Sequence, residues 1–290
     1  MLTTFEALPP CVQDPLADPP FDCWINPVGS VSAEFRRIPD GYFARFPGQA
    51  DFSISLKSMH VRGTPAHGTP PAVLESLYRN SIEPIIANHL GGLNLHGSAV
   101  ATPYGAIAFL GQSRSGKTTL AGAFAHAGHA FLTEDVLTLT DAGTDDGDGD
   151  GDGYLVQPQR PVLRLFHDSA KFLLGTQPGW EDKELKQELA ADDRLPFADQ
   201  PAPLIAIFLL GPDESDDVSL VPLGAAEALS QLIPHSFVLD VEDRQRLAAH
   251  FGRLGELAAS VPCHALDYPR CYAQLPEVIG AVLERAKLDG

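Results

Sequence analysis

Residues 111–118 read GQSRSGKT and satisfy the pattern Gly-x-x-x-x-Gly-Lys-Ser/Thr. These residue types in this order hold a polyphosphate. Gly111 and Gly116 permit the tight backbone that turns successive N–H groups inward. The amides of Gln112, Ser113, Arg114 and Ser115, with the start of the helix that follows, offer donors and partial positive charge. Lys117 supplies a mobile charge for the outer phosphates. Thr118 supplies a hydroxyl oxygen for Mg2+, and Thr119 continues into the helix. Downstream, Glu134 and Asp135 are adjacent acids at the end of the run AFLT. One carboxylate of such a pair can hold Mg2+ while the other accepts a proton from an attacking hydroxyl. His96, in LHGS, precedes the loop; a lone histidine serves a structural role more often than a chemical one.

The elements that must position these groups are legible around them. GAIAFLG is an apolar strand before the loop, and TLAGAFAHAG is a helix after it. LNLHGSAVAT reads as a neighbouring strand and AFLTEDVLTLT as the next one. Strand, loop, helix and strand in that order make a nucleotide-binding α/β core. Ligands of such sheets bind beyond the C-terminal strand ends, so the acids can be delivered to the nucleotide. Neighbouring strand residues point to opposite faces, and both acids reach one site only where the strand ends or bulges.

Residues 1–30 are Pro-rich and irregular in pattern, whereas 31–60 alternate with period two between turns at Pro39-Asp40-Gly41 and Pro47-Gly48. GTPAHGTPP (63–71) reads as a linker. Thr69 before Pro70 and Pro71 is a helix start signal, and Val73, Leu74, Leu77, Tyr78, Ile82, Ile85 and Ile86 follow helical spacing with a kink expected at Pro84. Beyond the core, YLVQPQRPVLRLF, PLIAIFLL and DVSLVPL read as β structure. Helices are expected at 223–233, 243–259 and 275–287, with the strand CHALDY before the last. The domains expected are a β-rich module over 1–71 and a catalytic domain over 72–290.

Twenty Lys and Arg stand against 38 Asp and Glu, a net charge of −18. That balance argues against sequence-independent nucleic-acid binding and against a polybasic membrane anchor. No apolar run approaches a membrane span, no secretory signal pattern opens the chain, and the four cysteines form no CxxC pair. The expectation is a cytoplasmic protein with free thiols. Six of the acids fall in DAGTDDGDGDGDG (141–153). Asp148, Asp150, Asp152 and Gly153 mimic the first half of a calcium loop, but Gln159 stands where a bidentate Glu is needed and β patterns flank it. A flexible, solvated insertion is the expectation there. Arg164 could reach phosphate or the acidic pair, and Lys183 and Lys186 could lie near the outer phosphate; a solvated surface charge is the alternative for each.

The block LHGSAVATPYGAIAFLGQSRSGKTTLAGAFAHAGHAFLTEDVLTL resembles the catalytic core of the HPr kinase/phosphorylase family. Its counterparts here are His96-Gly97, Gly111 to Thr118, Gly128-His129 and Glu134-Asp135. The flanks, with YFARFPGQADFSI, PVLRLF, PLIAIFLL and VPCHALDYPRCYAQLPEVI, resemble the HPr-kinase-like enzymes of lasso and other modified-peptide biosynthesis. The resemblance implies an α/β, phosphoenolpyruvate-carboxykinase-like P-loop core behind a small N-terminal β module. It implies ATP and Mg2+ as cofactors and a serine-containing peptide or small protein as acceptor. It makes Glu134 the general base, Asp135 with Thr118 the magnesium ligands, and His96 a neighbour of the transferred phosphate, with Lys117 stabilising charge. Family kinases have Asp at the first acid position, where this chain has Glu. The long C-terminal signature loop of the bifunctional enzymes is not found, so HPr itself is not the expected substrate. A nucleotide-binding regulatory or scaffolding protein without transfer activity, an HPr serine kinase and a small-molecule kinase are the alternatives. The family's HPr enzymes are hexamers, and homo-oligomerisation stays open for this chain.

Overall fold

The computed structural model describes residues 3–26, 29–143, 153–175 and 186–290. Contacts divide the chain into two units, Met1–Leu90 with Val238–Leu247, and Gly91–Phe237 with Ala248–Gly290.

The first unit carries a six-stranded sheet in the order β1-β6-β5-β4-β3-β2. Its strands are β1 (Thr4–Ala7), β2 (Asp22–Ile25), β3 (Val31–Ile38), β4 (Gly41–Phe46), β5 (Ala50–Ser55) and β6 (His60–Pro65). The period-two pattern does what it should: Tyr42, Ala44, Phe46, Phe52 and Ile54 are buried while Phe43, Arg45, Asp51 and Ser53 are half-exposed. Two readings change at its borders. Residues 63–65 are strand rather than linker, and the Pro-rich start contributes β1, which pairs in parallel with β6. Helix α1 (Pro71–Leu77) is preceded by Pro70 at its cap position, with no side-chain cap. The Thr69 hydroxyl donates instead to the Gln49 carbonyl at 2.8 Å. The expected kink is a π-helical turn, Tyr78–Ile82, ahead of α2 (Glu83–His89). The Glu83 N–H bonds five residues back to Tyr78, and Pro84, which has no N–H to donate, sits in the first turn of α2. These helices, read from sequence as the start of the catalytic domain, group with the β module, where Tyr78 stacks on Phe5 at 4.1 Å.

The second unit is a mixed α/β layer structure. Its strands are β7 (Leu93–Thr102), β8 (Gly105–Leu110), β9 (Phe131–Thr133), β10 (Val136–Asp141), β11 (Tyr154–Gln157), β12 (Val162–Leu165), β13 (Gln187–Ala190), β14 (Ala202–Leu210), β15 (Ser219–Pro222) and β16 (Cys263–Asp267). Its helices are α3 (Lys117–His126), α4 (His167–Leu174), α5 (Ala225–Leu232), α6 (Arg244–Ser260) and α7 (Leu275–Asp289), the first turn of α6 grouping with the other unit. The main sheet runs β11-β10-β7-β8-β14-β16-β15, with β9 on β7 and a further pairing of β11 with β14. Strands β8, β14 and β16 are mutually parallel. Both faces are covered, which is why these strands are apolar throughout. On one face Phe109, Phe124, Phe131, Phe208 and Val278 pack around α3 and α7. On the other Leu93, Leu95, Leu110, Ile207, Leu254 and Leu257 pack around α5 and α6. Among the described residues no helix is long and apolar enough to cross a membrane. Asp148, Asp150, Asp152 and Lys183 lie outside the described residues.

Candidate functional site

The loop between β8 and α3 is bent by two residues in left-handed conformation, Arg114 at φ 67° and Gly116 at φ 96°. Gly116 is the residue before the helix, and a side chain there would be strained whatever the space. At Gly111 a Cβ would lie 2.7 Å from the Ser115 hydroxyl oxygen and 3.0 Å from the Leu210 Cβ. The first turn of α3 leaves its N–H groups without intrahelical acceptors, aimed at the loop's interior. The Lys117 ammonium, 6% exposed, donates to the carbonyls of Gly111 and Gln112 at 2.7 and 2.9 Å. Burial, and then the charge of Lys186, push it down to about 8.

The acids arrive by the interruption that strand geometry demanded. Thr133 pairs with Ala99 and Val136 with His96, and between them β9 and β10 break at Glu134 and Asp135. The Asp135 carbonyl still accepts the Gly97 N–H at 3.1 Å. Both carboxylates meet one guanidinium. Arg164, on β12, donates from Nε to Glu134 Oε1 at 2.5 Å and pairs through Nη2 with Asp135 Oδ2. The second Glu134 oxygen, Oε2, is buried and has no partner among the described residues, and the Ser115 hydroxyl is in the same condition.

A cavity of about 480 Å³ gathers these elements. It is lined by Ser113, Arg114, Gly116, Lys117, Thr118 and Thr119, and by His96, Asp135, Phe166, Asp168 and Lys186. Lys186 donates to the Thr118 hydroxyl at 3.1 Å and lies 5.7 Å over the Phe166 ring. Burial lowers its pKa, with Arg164 acting the same way and Glu134 opposing. His96 stands edge-on to Phe237 at 6.3 Å, and burial, then Lys117, Lys186 and Arg164, push it down to about 4. It is therefore a neutral imidazole at physiological pH. Arg164 thus pairs with both carboxylates, and Lys186 interacts electrostatically with Glu134, inside an acidic chain.

Of the residues named from sequence, His96, Ser113, Arg114, Gly116, Lys117, Thr118, Thr119 and Asp135 line one cavity, and Glu134 is joined to Asp135 through Arg164. Gln112 contributes a carbonyl to Lys117, and Thr119 bonds Ser169 at 2.9 Å. Arg164 reaches the acidic pair and Lys186 the Thr118 hydroxyl. His129 packs on Phe124 at the far end of α3. Four contributors carried no signal in the sequence. Phe166 and Ser169 flank the start of α4, a helix the pattern did not show. His235 is pushed down to about 4 by burial, then by Lys117 and His96. Arg270 donates to the Ser115 carbonyl at 3.2 Å from 155 residues away.

These groups fit a nucleoside triphosphate with Mg2+. The hydroxyl of Thr118 and the carboxylate of Asp135 are hard oxygen donors, and Mg2+ takes one or two such groups alongside phosphate and water. Among the described residues no cluster of three or more His, Cys, Asp or Glu could form an all-protein metal cage. The orphaned Glu134 oxygen and Ser115 hydroxyl are polar atoms for which a polar ligand supplies partners.

No family model matches the chain, and no curated protein matches it. Among solved structures it is similar to the Hpr(Ser) kinase/phosphatase from Coxiella burnetii. The identity is 11%, the match covers 68% of this chain and 99% of that one, and the TM-score is 0.35.

Proposed function

We propose that this protein is an ATP- and Mg2+-dependent cytoplasmic kinase that phosphorylates a serine hydroxyl of a small protein or precursor peptide, of the kind matured into lasso-type products. One observation carries the phosphotransfer reading: a single cavity is shared by the phosphate-binding loop, Asp135 of the broken strand, His96 and Lys186. The serine and peptide parts rest on the sequence resemblance of the motif block and its flanks.

In this reading the loop amides and Lys117 hold the ATP phosphates. Thr118 and Asp135 would hold Mg2+, which would supply charge neutralisation for the phosphates. Glu134 draws the proton from the acceptor hydroxyl through its unpartnered oxygen as the new O–P bond forms and the bond from the γ-phosphorus to the bridging oxygen of ADP breaks. Lys117 compensates the charge that moves toward the leaving phosphate. His96, neutral, presents a hydrogen-bonding imidazole without adding charge.

The test is radiolabel transfer from ATP to serine-containing precursor peptides, with binding of a fluorescent ATP analogue measured in parallel. Glu134→Gln keeps nucleotide binding and lowers transfer about 10²- to 10⁴-fold. Lys117→Ala abolishes transfer. Transfer that survives in Lys117→Ala overturns the site as assigned, and nucleotide binding with no acceptor phosphorylated by the parent protein overturns the kinase reading in favour of a nucleotide-binding regulator.

A further inference from the structure

The two groups assigned to the metal are each engaged by a cation of the protein itself. The Thr118 hydroxyl accepts the Lys186 ammonium at 3.1 Å. The Asp135 carboxylate is paired with Nη2 of Arg164, whose Nε is committed to Glu134. Neither arrangement is an ordinary surface pair. The side chain of Arg164 is 21% exposed and those of Glu134 and Asp135 are 12% and 16% exposed. Lys186 lies 5.7 Å over the Phe166 ring. The positive charge a divalent ion would bring is thus already supplied, from two different elements, to both of its ligands.

Resting on the kinase reading, we propose that Arg164 and Lys186 make divalent cation and nucleotide bind only together. Coulomb repulsion in a partly buried site keeps a dication out while both cations stand on its ligands. The triphosphate is the group that can accept both cations at once. Arg164 and Lys186 transfer from the carboxylate and hydroxyl to phosphate oxygens, releasing Asp135 and Thr118 to the metal. The fork of Arg164 suits phosphate as well as it suits carboxylate. By linkage, metal and nucleotide then raise each other's affinity by one common factor.

The test uses Mn2+ as the probe, read by the loss of its free electron-paramagnetic-resonance signal in the full-length protein. Without nucleotide, the parent protein leaves the Mn2+ signal free, and added ADP or ATP makes it bind. Arg164→Met and Lys186→Met each raise nucleotide-free Mn2+ affinity about tenfold or more. Lys186→Met contributes its own result if Arg164→Met fails to fold, which circular dichroism shows. Nucleotide-free Mn2+ binding by the parent protein as tight as in the ternary complex overturns the proposal, and so do variants that leave that affinity unchanged. These readouts involve no phosphoryl transfer. Mn2+ binding that depends on nucleotide and on the two cations, in a protein that phosphorylates no acceptor, therefore sinks the kinase reading and spares the coupling.

Discussion

The ammonium of Lys117 donates to the carbonyl oxygen of Gly111 at 2.7 Å, so the loop's one invariable-pattern cation is held by the same backbone that would hold the phosphates. Its burial makes that position costly for a charge, and its pKa stands at about 8 against an ordinary 10.5. Two consequences follow for pH. Because the pKa is lowered on folding, the unfolded chain binds this proton more strongly, and stability rises with pH between about 8 and 10.5. Phosphate binding favours the ammonium, so affinity for a fluorescent ATP analogue should fall as the pH passes 8, by about tenfold per unit. Lys117→Met binds weakly and shows no such slope. Titrations from pH 7 to 9.5 check this, and an unchanged slope in the variant excludes Lys117 as its source.

In the first unit, Asp240 is held by a fork from Arg37, at 2.9 and 2.7 Å, and by the Tyr42 hydroxyl at 2.9 Å. Backbone N–H groups of Glu242 and Asp243 complete its shell. Burial pushes the carboxyl up, but the Arg37 fork, the Glu242 N–H and the Tyr42 hydroxyl outweigh it and bring it down to about 2. A depressed carboxylate contributes stability that is full above the unfolded value near 3.8 and is lost as pH falls toward 2. Asp240→Asn should cost about 2 kcal/mol at pH 7, the worth of hydrogen bonds to a charged group. The cost should shrink as melts are repeated from pH 4 down to pH 2. An equal cost at all pH values would mean that packing, not charge, is lost.

What the sequence made legible was local. Eight consecutive residues spell the phosphate loop, and Glu134 with Asp135 sits one helix and one strand later, so their meeting needs no distant partner. Alternation in 31–55 was legible because one face of β3, β4 and β5 is buried and the other is not. The misreadings come from long-range competition. Thr69 had the right type and place to cap a helix, but a carbonyl twenty residues back, on Gln49, took its hydroxyl. Residues 63–65 look like linker because Gly and Pro are poor strand formers, yet β1 and β5 flank them on both sides. His235 could not be read at all, since it reaches the site by the pairing of Ser236 with Leu95, next to His96.

Arg270 is the clearest case of a site-supporting residue hidden by chain distance, and it yields a prediction of its own. Its guanidinium stacks at 3.9 Å over the Tyr268 ring and donates to the carbonyls of Ser115, Gly211 and Tyr268 at 3.2, 2.8 and 2.6 Å. One planar group thereby ties the phosphate loop to the C-terminal ends of β14 and β16. The neighbouring Asp267 accepts the N–H groups of Asp213 and Glu214 at 2.9 and 3.0 Å, which fixes the segment Arg270 leans on. Arg270 bonds the outside of the loop and not the reacting groups, so its loss should weaken ground state and transition state alike. Arg270→Ala is therefore expected to raise the KM for ATP about tenfold with kcat little changed. Arg270→Lys, which keeps a charge but not the fork, should recover only part of this. Steady-state kinetics at several ATP concentrations decide it: a fall in kcat at unchanged KM would place Arg270 on the transferring phosphate instead.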